Sequence, residues 1–177
     1  KAEIKNLDIG KYILRETKTR KEYKIALEQN ITIEWGKTLN LTIENEKMKG
    51  KVKITKISED DNLITGEVAG TPIANVKFEI YDDSGKLVDT LITKADGIAI
   101  SKDLVVGKYI VKEKETGEYY EINENDFEVE ITKNGEVVGL TISNKSKTPP
   151  PEKPKEETPK IEVPPIEPIK KLPVTGY

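Results

Sequence analysis

The chain has 177 residues, of which 35% are hydrophobic and 34% are charged, and its formal net charge is −3. This length fits one domain or two small ones, with the composition of a well-solvated protein that has a modest core. Cysteine and histidine are both absent, which excludes disulfides, thiolate zinc sites, cysteine nucleophiles and histidine-based triads. Both signs of charge are mixed along the chain, so nucleic acid is a poor partner, and no stretch reaches the ~18 apolar residues needed to cross a membrane.

Six segments alternate apolar and polar residues at period two, which predicts short β-strands. In chain order they are residues 51–57, 76–82, 86–92, 108–114, 126–132 and 136–143. Turn signals separate them, and Asn134-Gly135 between two alternating runs is the strongest hairpin cue. No segment has a helical period. The pattern therefore predicts an all-β, immunoglobulin-like β-sandwich followed by an extended proline-rich C-terminal tail.

The chain contains an internal repeat. Two stretches recur in the same order: 7–16 matches 104–113, and 41–47 matches 140–145. The first copy contains only the back half of the unit. We therefore expect residues 1–47 to be the C-terminal half of a preceding, truncated domain, and residues 50–147 to be a complete domain.

Three predicted strands place a polar residue on the face that should be the core, because residues i, i+2 and i+4 of a strand share a face. These residues are Lys56, Glu113 and Asn144, and each follows two apolar residues on its face. Strand ends often carry polar residues that reach water, which is the alternative reading. The first copy repeats two of the three, as Glu16 and Asn45, and this recurrence favours a function.

Burial of a lysine and a glutamate disfavours the charged form of both groups. A buried site would then hold a neutral amine, a protonated carboxylic acid and a carboxamide. The amine is a nucleophile, the acid can polarise an amide and relay a proton, and fixed proximity lowers the remaining barrier. The natural product is an amide bond between Lys56 and Asn144, with loss of ammonia.

Five pieces of the second copy carry a family resemblance: Gly50–Lys56, Thr71–Tyr81, Ala95–Gly97, Gly107–Glu113 and Leu140–Lys145. Through them, the chain resembles the B-type (SpaA-like, prealbumin-like) domain of the Cna protein, found in Gram-positive pilins and adhesins. The resemblance implies an intramolecular isopeptide bond between Lys56 and Asn144, assisted by Glu113. The equivalent site in the first copy, Glu16 and Asn45, lacks its lysine. The usual Ala-Pro-x-Gly-Tyr after the glutamate is replaced here by Lys114–Tyr119, which puts the geometry of that loop in question.

Nine of the ten prolines lie at or after position 149, and residues 148–171 consist mainly of proline, lysine and glutamate. Such a segment cannot bury a core and favours extended polyproline II, so about 26 residues at ~3.1 Å each would span roughly 80 Å. We interpret it as a stem that spans the cell wall. After it comes a match to the sortase sorting signal Leu-Pro-x-Thr-Gly, formed by Leu172, Pro173, Val174, Thr175 and Gly176. In proteins with this signal, sortase cleaves after the threonine and transfers it to an amine of peptidoglycan or of a pilus.

Together these features predict an extracellular, wall-anchored stalk module of a Gram-positive surface protein. An adhesin module that binds a host extracellular-matrix protein and a pilin subunit are the alternatives. A turnover enzyme is disfavoured, because phosphate loops, metal clusters and histidines are absent and the crosslinking chemistry would act once, on the chain itself. No cofactor is expected, although the acidic turn Glu59-Asp60-Asp61 leaves calcium open.

Overall fold

The computed structural model describes residues 2–149. The sorting signal at 172–176, and all of the stem after residue 149, lie outside the described residues. The strands are β1 (Gly10–Leu14), β2 (Gln29–Ile33), β3 (Lys49–Ser58), β4 (Lys77–Asp82), β5 (Leu87–Ile92), β6 (Ile98–Ile100), β7 (Leu104–Val105), β8 (Gly107–Glu115), β9 (Asp126–Ile131) and β10 (Val137–Asn144). Within this part of the chain there is no helix of the length and apolarity needed to cross a membrane.

Residues 50–147, called the second unit below, form two sheets. One sheet has the order β10-β3-β6, with β7 paired to the start of β3, and the other has the order β5-β4-β8-β9. The pairing of β3 with β10 is parallel, and the other strand pairs of the unit are antiparallel. The first and last strands of the unit are therefore neighbours in one sheet, with β3 central, β10 at the edge and their chain directions aligned.

The alternation seen in the sequence produces the core of this unit. Every second residue of β3 from Gly50 onward is buried, and the same holds for the inner faces of β4 and β8. The fully enclosed apolar side chains come from both sheets and include Val52, Ile54, Phe78, Ile80, Val111, Ile131 and Ile142. The all-β sandwich predicted from the sequence is confirmed. Burial of this shared inner face is the main stabilising contribution, because apolar area is removed from water on both sheets at once.

The hairpin predicted at Asn134-Gly135 is wrong. Gly135 does form a turn with a φ of 77°, but β9 pairs with β8 in one sheet, whereas β10 pairs with β3 in the other. The turn is held by β3 instead of by its own flanking strands: Asn134 Oδ1 accepts from Lys49 N at 3.1 Å, and Gly135 N donates to Lys49 O at 2.7 Å. A local turn signal therefore marks a crossover between the sheets.

In residues 1–47, called the first unit below, the described part (2–47) has the two-stranded sheet β1-β2 and an isolated antiparallel bridge between Tyr23 and Lys47. Large apolar side chains remain exposed there, including Leu27 and Trp35 at 89% and 88%. The two units meet at Met48, whose N donates to Glu22 O at 2.8 Å and whose O accepts from Val106 N at 3.0 Å. The backbone of the junction is therefore bonded to both units.

Candidate functional site

Lys56 lies on β3 and points into the core. It continues the inner face of Val52 and Ile54, its side chain has 0% exposure, and its backbone N donates to Gly97 O at 2.8 Å. On the other side, β10 pairs with it through Ile142. The amine therefore lies in the interior, on a strand that is paired on both sides.

Glu113 approaches the amine from the opposite sheet. It lies on β8, pairs with Phe78 of β4, and its side chain is fully buried. The register shifts between Lys77 and Phe78, because Lys77 pairs with Glu115 and Phe78 pairs with Glu113. Such an irregularity re-aims side chains locally. Glu113 Oε2 lies 3.0 Å from Lys56 Nζ.

Asn144, the last residue of β10, joins the two groups. Its Nδ2 donates to Glu113 Oε1 at 2.5 Å and to Thr116 Oγ1 at 2.8 Å, and its Oδ1 accepts from Lys56 Nζ. The residue is 2% exposed. Amine, carboxamide and carboxyl group, from three different strands, are therefore in mutual contact away from water. The sequence pattern predicted that all three would face inward, and the structure brings them together.

The surroundings favour the neutral amine. Burial lowers the pKa of the Lys56 ammonium, and the neighbouring Glu113 carboxylate opposes part of that effect. The ring of Phe78 stands 6.0 Å from Nζ and belongs to the apolar core. Although Glu113 Oε2 lies within ion-pair distance of Nζ, it accepts no hydrogen bond of ordinary geometry.

The first unit repeats two parts of this site. Asn45 Nδ2 donates to Glu16 Oε2 at 2.6 Å and to Lys24 O at 2.9 Å, and Ala26 N donates to the same Glu16 oxygen at 2.7 Å. Both side chains are half-buried instead of enclosed. The acid and the carboxamide thus take the same relative arrangement in both units, and the amine is present in the second.

Two residues of the site were missed by sequence reasoning. Phe78 matches the core pattern of its strand, and nothing in the sequence indicates that its ring lies beside an amine. Thr116 falls in a segment read only as a turn. A signal for it does exist in the repeat, because Thr19 follows Glu16 at the same distance as Thr116 follows Glu113.

The acidic turn considered for calcium is occupied by internal hydrogen bonds. Asp60 Oδ1 accepts from Ser146 N at 2.9 Å, and Asp61 Oδ1 accepts from Ala69 N at 2.8 Å. Residues 2–149 contain no cluster of three or more acidic side chains arranged to hold a metal ion. Asp60 thus ties the loop to Ser146, two residues after β10, and Asp61 closes the loop on itself.

Two facing sheets with parallel first and last strands define a prealbumin-like β-sandwich domain. The chain belongs to the SpaA prealbumin-like fold domain family, whose model matches residues 1–47 and 50–146. The TIE protein of Bacillus anthracis is a solved structure with 32% identity and a TM-score of 0.68 over 80% of this chain and 26% of that one.

Two curated relatives match shorter stretches. The trypsin-resistant surface T6 protein of Streptococcus pyogenes serotype M6 is 33% identical over 81 residues, which are 46% of this chain and 15% of the relative. The collagen adhesin of Staphylococcus aureus is 34% identical over 99 residues, which are 48% of this chain and 8% of the relative. The chain therefore spans a small part of the length of these relatives.

Proposed function

We propose that the chain is a structural stalk module of a Gram-positive surface protein, stiffened by an autocatalytic isopeptide bond between Lys56 and Asn144. The observation that carries this proposal is the contact of Lys56 Nζ with both Asn144 Oδ1 and Glu113 Oε2 in a fully buried site. In this proposal, residues 1–47 are half of one domain, residues 50–147 are a complete one, and residues 148–171 are a wall-spanning stem.

The bond forms by attack of the neutral Lys56 Nζ on Asn144 Cγ. The new bond is Nζ–Cγ and the broken bond is Cγ–Nδ2. Glu113 donates a proton toward the carboxamide and takes one from Nζ, so that it returns to its starting state while Nδ2 leaves as ammonia. Because the three groups are held together by separate strands, folding itself supplies the proximity that lowers the barrier.

The chemistry occurs once and leaves its product in the core, so the chain is not a turnover enzyme. The bond closes a loop of 88 residues, and on the loop-entropy model this stabilises the folded state by about 4.6 kcal/mol. A stalk needs such a restraint because it carries load and has a thin sandwich core.

An adhesin module is the second candidate, and the sequence similarity to a collagen adhesin supports it. Binding modules typically expose a contiguous apolar or aromatic patch. Among the aromatic residues of the second unit, Tyr119 is exposed at 41% and the others are at least partly buried. This distribution favours the stalk. A pilin subunit would use the same fold and the same internal bond, so the crosslink is common to the stalk and pilin proposals.

Intact-mass measurement tests the crosslink. The chain should weigh about 17 Da less than its sequence, the mass of one ammonia. Lys56→Ala and Glu113→Ala should each show the full mass of their own sequence. Lys53→Ala, three residues away on the outer face of β3, is the matched control and should retain the deficit. A full-mass wild-type chain would remove the proposed bond.

We also propose that the sorting signal at 172–176 is cleaved after Thr175 by sortase and joined to an amine of the wall or of a pilus, which places the protein outside the cell. Proline fixes its own φ and restricts the residue before it, and an enzyme groove can recognise a motif with so few accessible conformations. Incubation with sortase and a glycine peptide should release Gly176-Tyr177 and attach the peptide. Thr175→Ala should abolish the product, and a wild-type chain that is not cleaved would contradict the anchoring proposal.

A further inference from the structure

Thr116 is bonded to the atom that the crosslinking reaction must expel. It follows β8 directly, three residues after Glu113, and its Oγ1 accepts a hydrogen bond from Asn144 Nδ2 at 2.8 Å. The second proton of Nδ2 is donated to Glu113 Oε1 at 2.5 Å. Both N–H bonds of the carboxamide are therefore assigned, and the orientation of the amide plane is fixed.

This orientation has a chemical consequence. With Nδ2 held between Glu113 and Thr116, the other end of the carboxamide, Oδ1, is turned toward Lys56 Nζ. A carboxamide rotated by half a turn would lose the contact of Oδ1 with Lys56 Nζ and both hydrogen bonds that Nδ2 donates. Thr116 and Glu113 together thus hold the orientation in which the acid faces the leaving nitrogen and the amine faces the carbonyl oxygen.

The same contact gains strength during the reaction. As Nζ bonds to Cγ, Nδ2 loses its amide conjugation and takes up a proton, so it acquires positive charge. Hydrogen bonds from charged donors are stronger than those from neutral ones. An acceptor already placed on Nδ2 therefore stabilises the transition state more than the starting amide, which is the condition for accelerating a reaction.

Thr116 also lies where the site meets the surface. Lys56, Glu113 and Asn144 are all at least 95% buried, whereas Thr116 is half-buried and its neighbour Glu115 is exposed. The half-buried threonine contacts the nitrogen that leaves. Ammonia released from Cγ is thus formed beside the residue closest to solvent, not in the sealed interior.

The internal repeat retains this residue. The two residues between acid and threonine differ, being Thr17-Lys18 in the first unit and Lys114-Glu115 in the second, but the threonine occurs in both, as Thr19 and Thr116. In the first unit Asn45 Nδ2 donates to Lys24 O instead. The hydroxyl therefore bonds the carboxamide in the unit that also holds the lysine.

We propose that Thr116 is the leaving-group residue of the crosslinking site, orienting the Asn144 carboxamide and stabilising its nitrogen as it departs as ammonia. The inference rests on the proposed Lys56–Asn144 bond. The atom balance is unchanged: Nζ–Cγ forms, Cγ–Nδ2 breaks, and the proton lost by Nζ leaves on ammonia. Thr116 accepts a hydrogen bond throughout and is not consumed.

The test is the rate of ammonia loss in the full chain. Wild type, Thr116→Val, Thr116→Ser and Thr19→Val are produced by cell-free translation, translation is stopped, and samples are quenched in denaturant at intervals for intact mass. We expect Thr116→Val to slow the loss about tenfold, as for one hydrogen bond to a group that gains charge. Thr116→Ser should stay within about twofold of the wild-type rate. Thr19→Val, the control in the first unit, should react at the wild-type rate. Thermal midpoints of Thr116→Val, Thr116→Ser and their parent, compared in a Lys56→Ala background, report any effect on folding alone.

Each outcome has a distinct meaning. A wild-type rate for Thr116→Val overturns the inference while leaving the crosslink intact. Equal slowing in Thr116→Ser and Thr116→Val also overturns it, because the hydroxyl would then not be responsible. A drop in thermal midpoint that accompanies the slowing in Thr116→Val and is absent in Thr116→Ser would assign the effect to folding, again against the inference. Full mass in all four chains would contradict the proposed crosslink itself.

Discussion

A buried lysine is stable in a protein only if it is paired or neutral, because desolvating an ammonium costs several kcal/mol. Lys56 satisfies both conditions in part: Glu113 Oε2 lies 3.0 Å away, Asn144 Oδ1 accepts from the amine, and the core around them is apolar. The neutral form is the nucleophile that the proposed reaction needs. Burial thus destabilises the ammonium form of Lys56, and in doing so it favours the neutral amine that can attack.

The rate of bond formation should therefore depend on pH in a defined way. Burial lowers the pKa of Lys56, so the neutral fraction rises with pH and saturates once the pH exceeds that lowered pKa. Newly translated chain transferred to buffers across the range should react faster as pH rises and then level off. The levelling should occur clearly below the ordinary lysine pKa of about 10.4. A rate that still climbs in proportion to hydroxide near pH 10 would show that Lys56 is not perturbed.

Two substitutions at Lys56 should separate the crosslink from core packing. Lys56→Met removes the amine and fills its space, whereas Lys56→Ala also leaves a cavity. Both lose the bond, so in denaturant unfolding Lys56→Met should be less stable than wild type by about 4–5 kcal/mol. Lys56→Ala should lose about a further 2 kcal/mol. If Lys56→Met were as stable as wild type, the bond would not contribute to stability.

At the residue scale, the alternation of strand faces was sufficient to identify Lys56, Glu113 and Asn144, since each lies two positions after a buried apolar residue. Thr116 and Phe78 required the structure. The position of Thr116 depends on how the chain turns after β8, and that of Phe78 on a register shift between β4 and β8. Neither property is encoded in the alternation of apolar and polar residues.

At the scale of elements, β3 organises the second unit, since it pairs with β10, β6 and β7. The six predicted strands match β3, β4, β5, β8, β9 and β10 to within two residues at each end, because each shows several alternations. The three-residue β6 and two-residue β7 were missed, since they are too short to show a period. The crossover at Asn134-Gly135 was misread because the pairing of β10 is decided by tertiary contacts with β3, which a two-residue turn does not report.

The turn before β6 contacts β3 beside Lys56, and its Gly97 should not tolerate a side chain. Gly97 has a φ of 71°, and a Cβ there would lie 2.4 Å from Lys56 O. Gly97→Ala should therefore displace β3, lowering the thermal midpoint and slowing the 17 Da mass loss expected for ammonia. Gly85 is the matched control, with a φ of 80° and open space around its would-be Cβ. Gly85→Ala should cost only about 1–2 kcal/mol of backbone strain and leave the crosslinking rate unchanged. Equal rates in the two variants would contradict the proposed role of this turn.

At the scale of the whole molecule, the position of the proposed bond determines how the second unit carries load. The unit begins with β3 and ends with β10, so tension along the chain enters near Lys49 and leaves after Asn144. With Lys56 joined to Asn144, the force passes along β3, through the bond and out of the chain. The segment 57–143 then lies outside the load path.

Pulling single molecules from both ends should reveal this directly. In wild type the second unit should give no unfolding step, because the crosslink prevents residues 57–143 from extending. Lys56→Ala should add one step of roughly 300 Å, from the release of a whole domain at about 3.3–3.6 Å per residue. Lys53→Ala serves as the control and should behave as wild type. A step of that length in wild type would show that the chain bears load through its noncovalent sheet, and the stalk proposal would lose its mechanical basis.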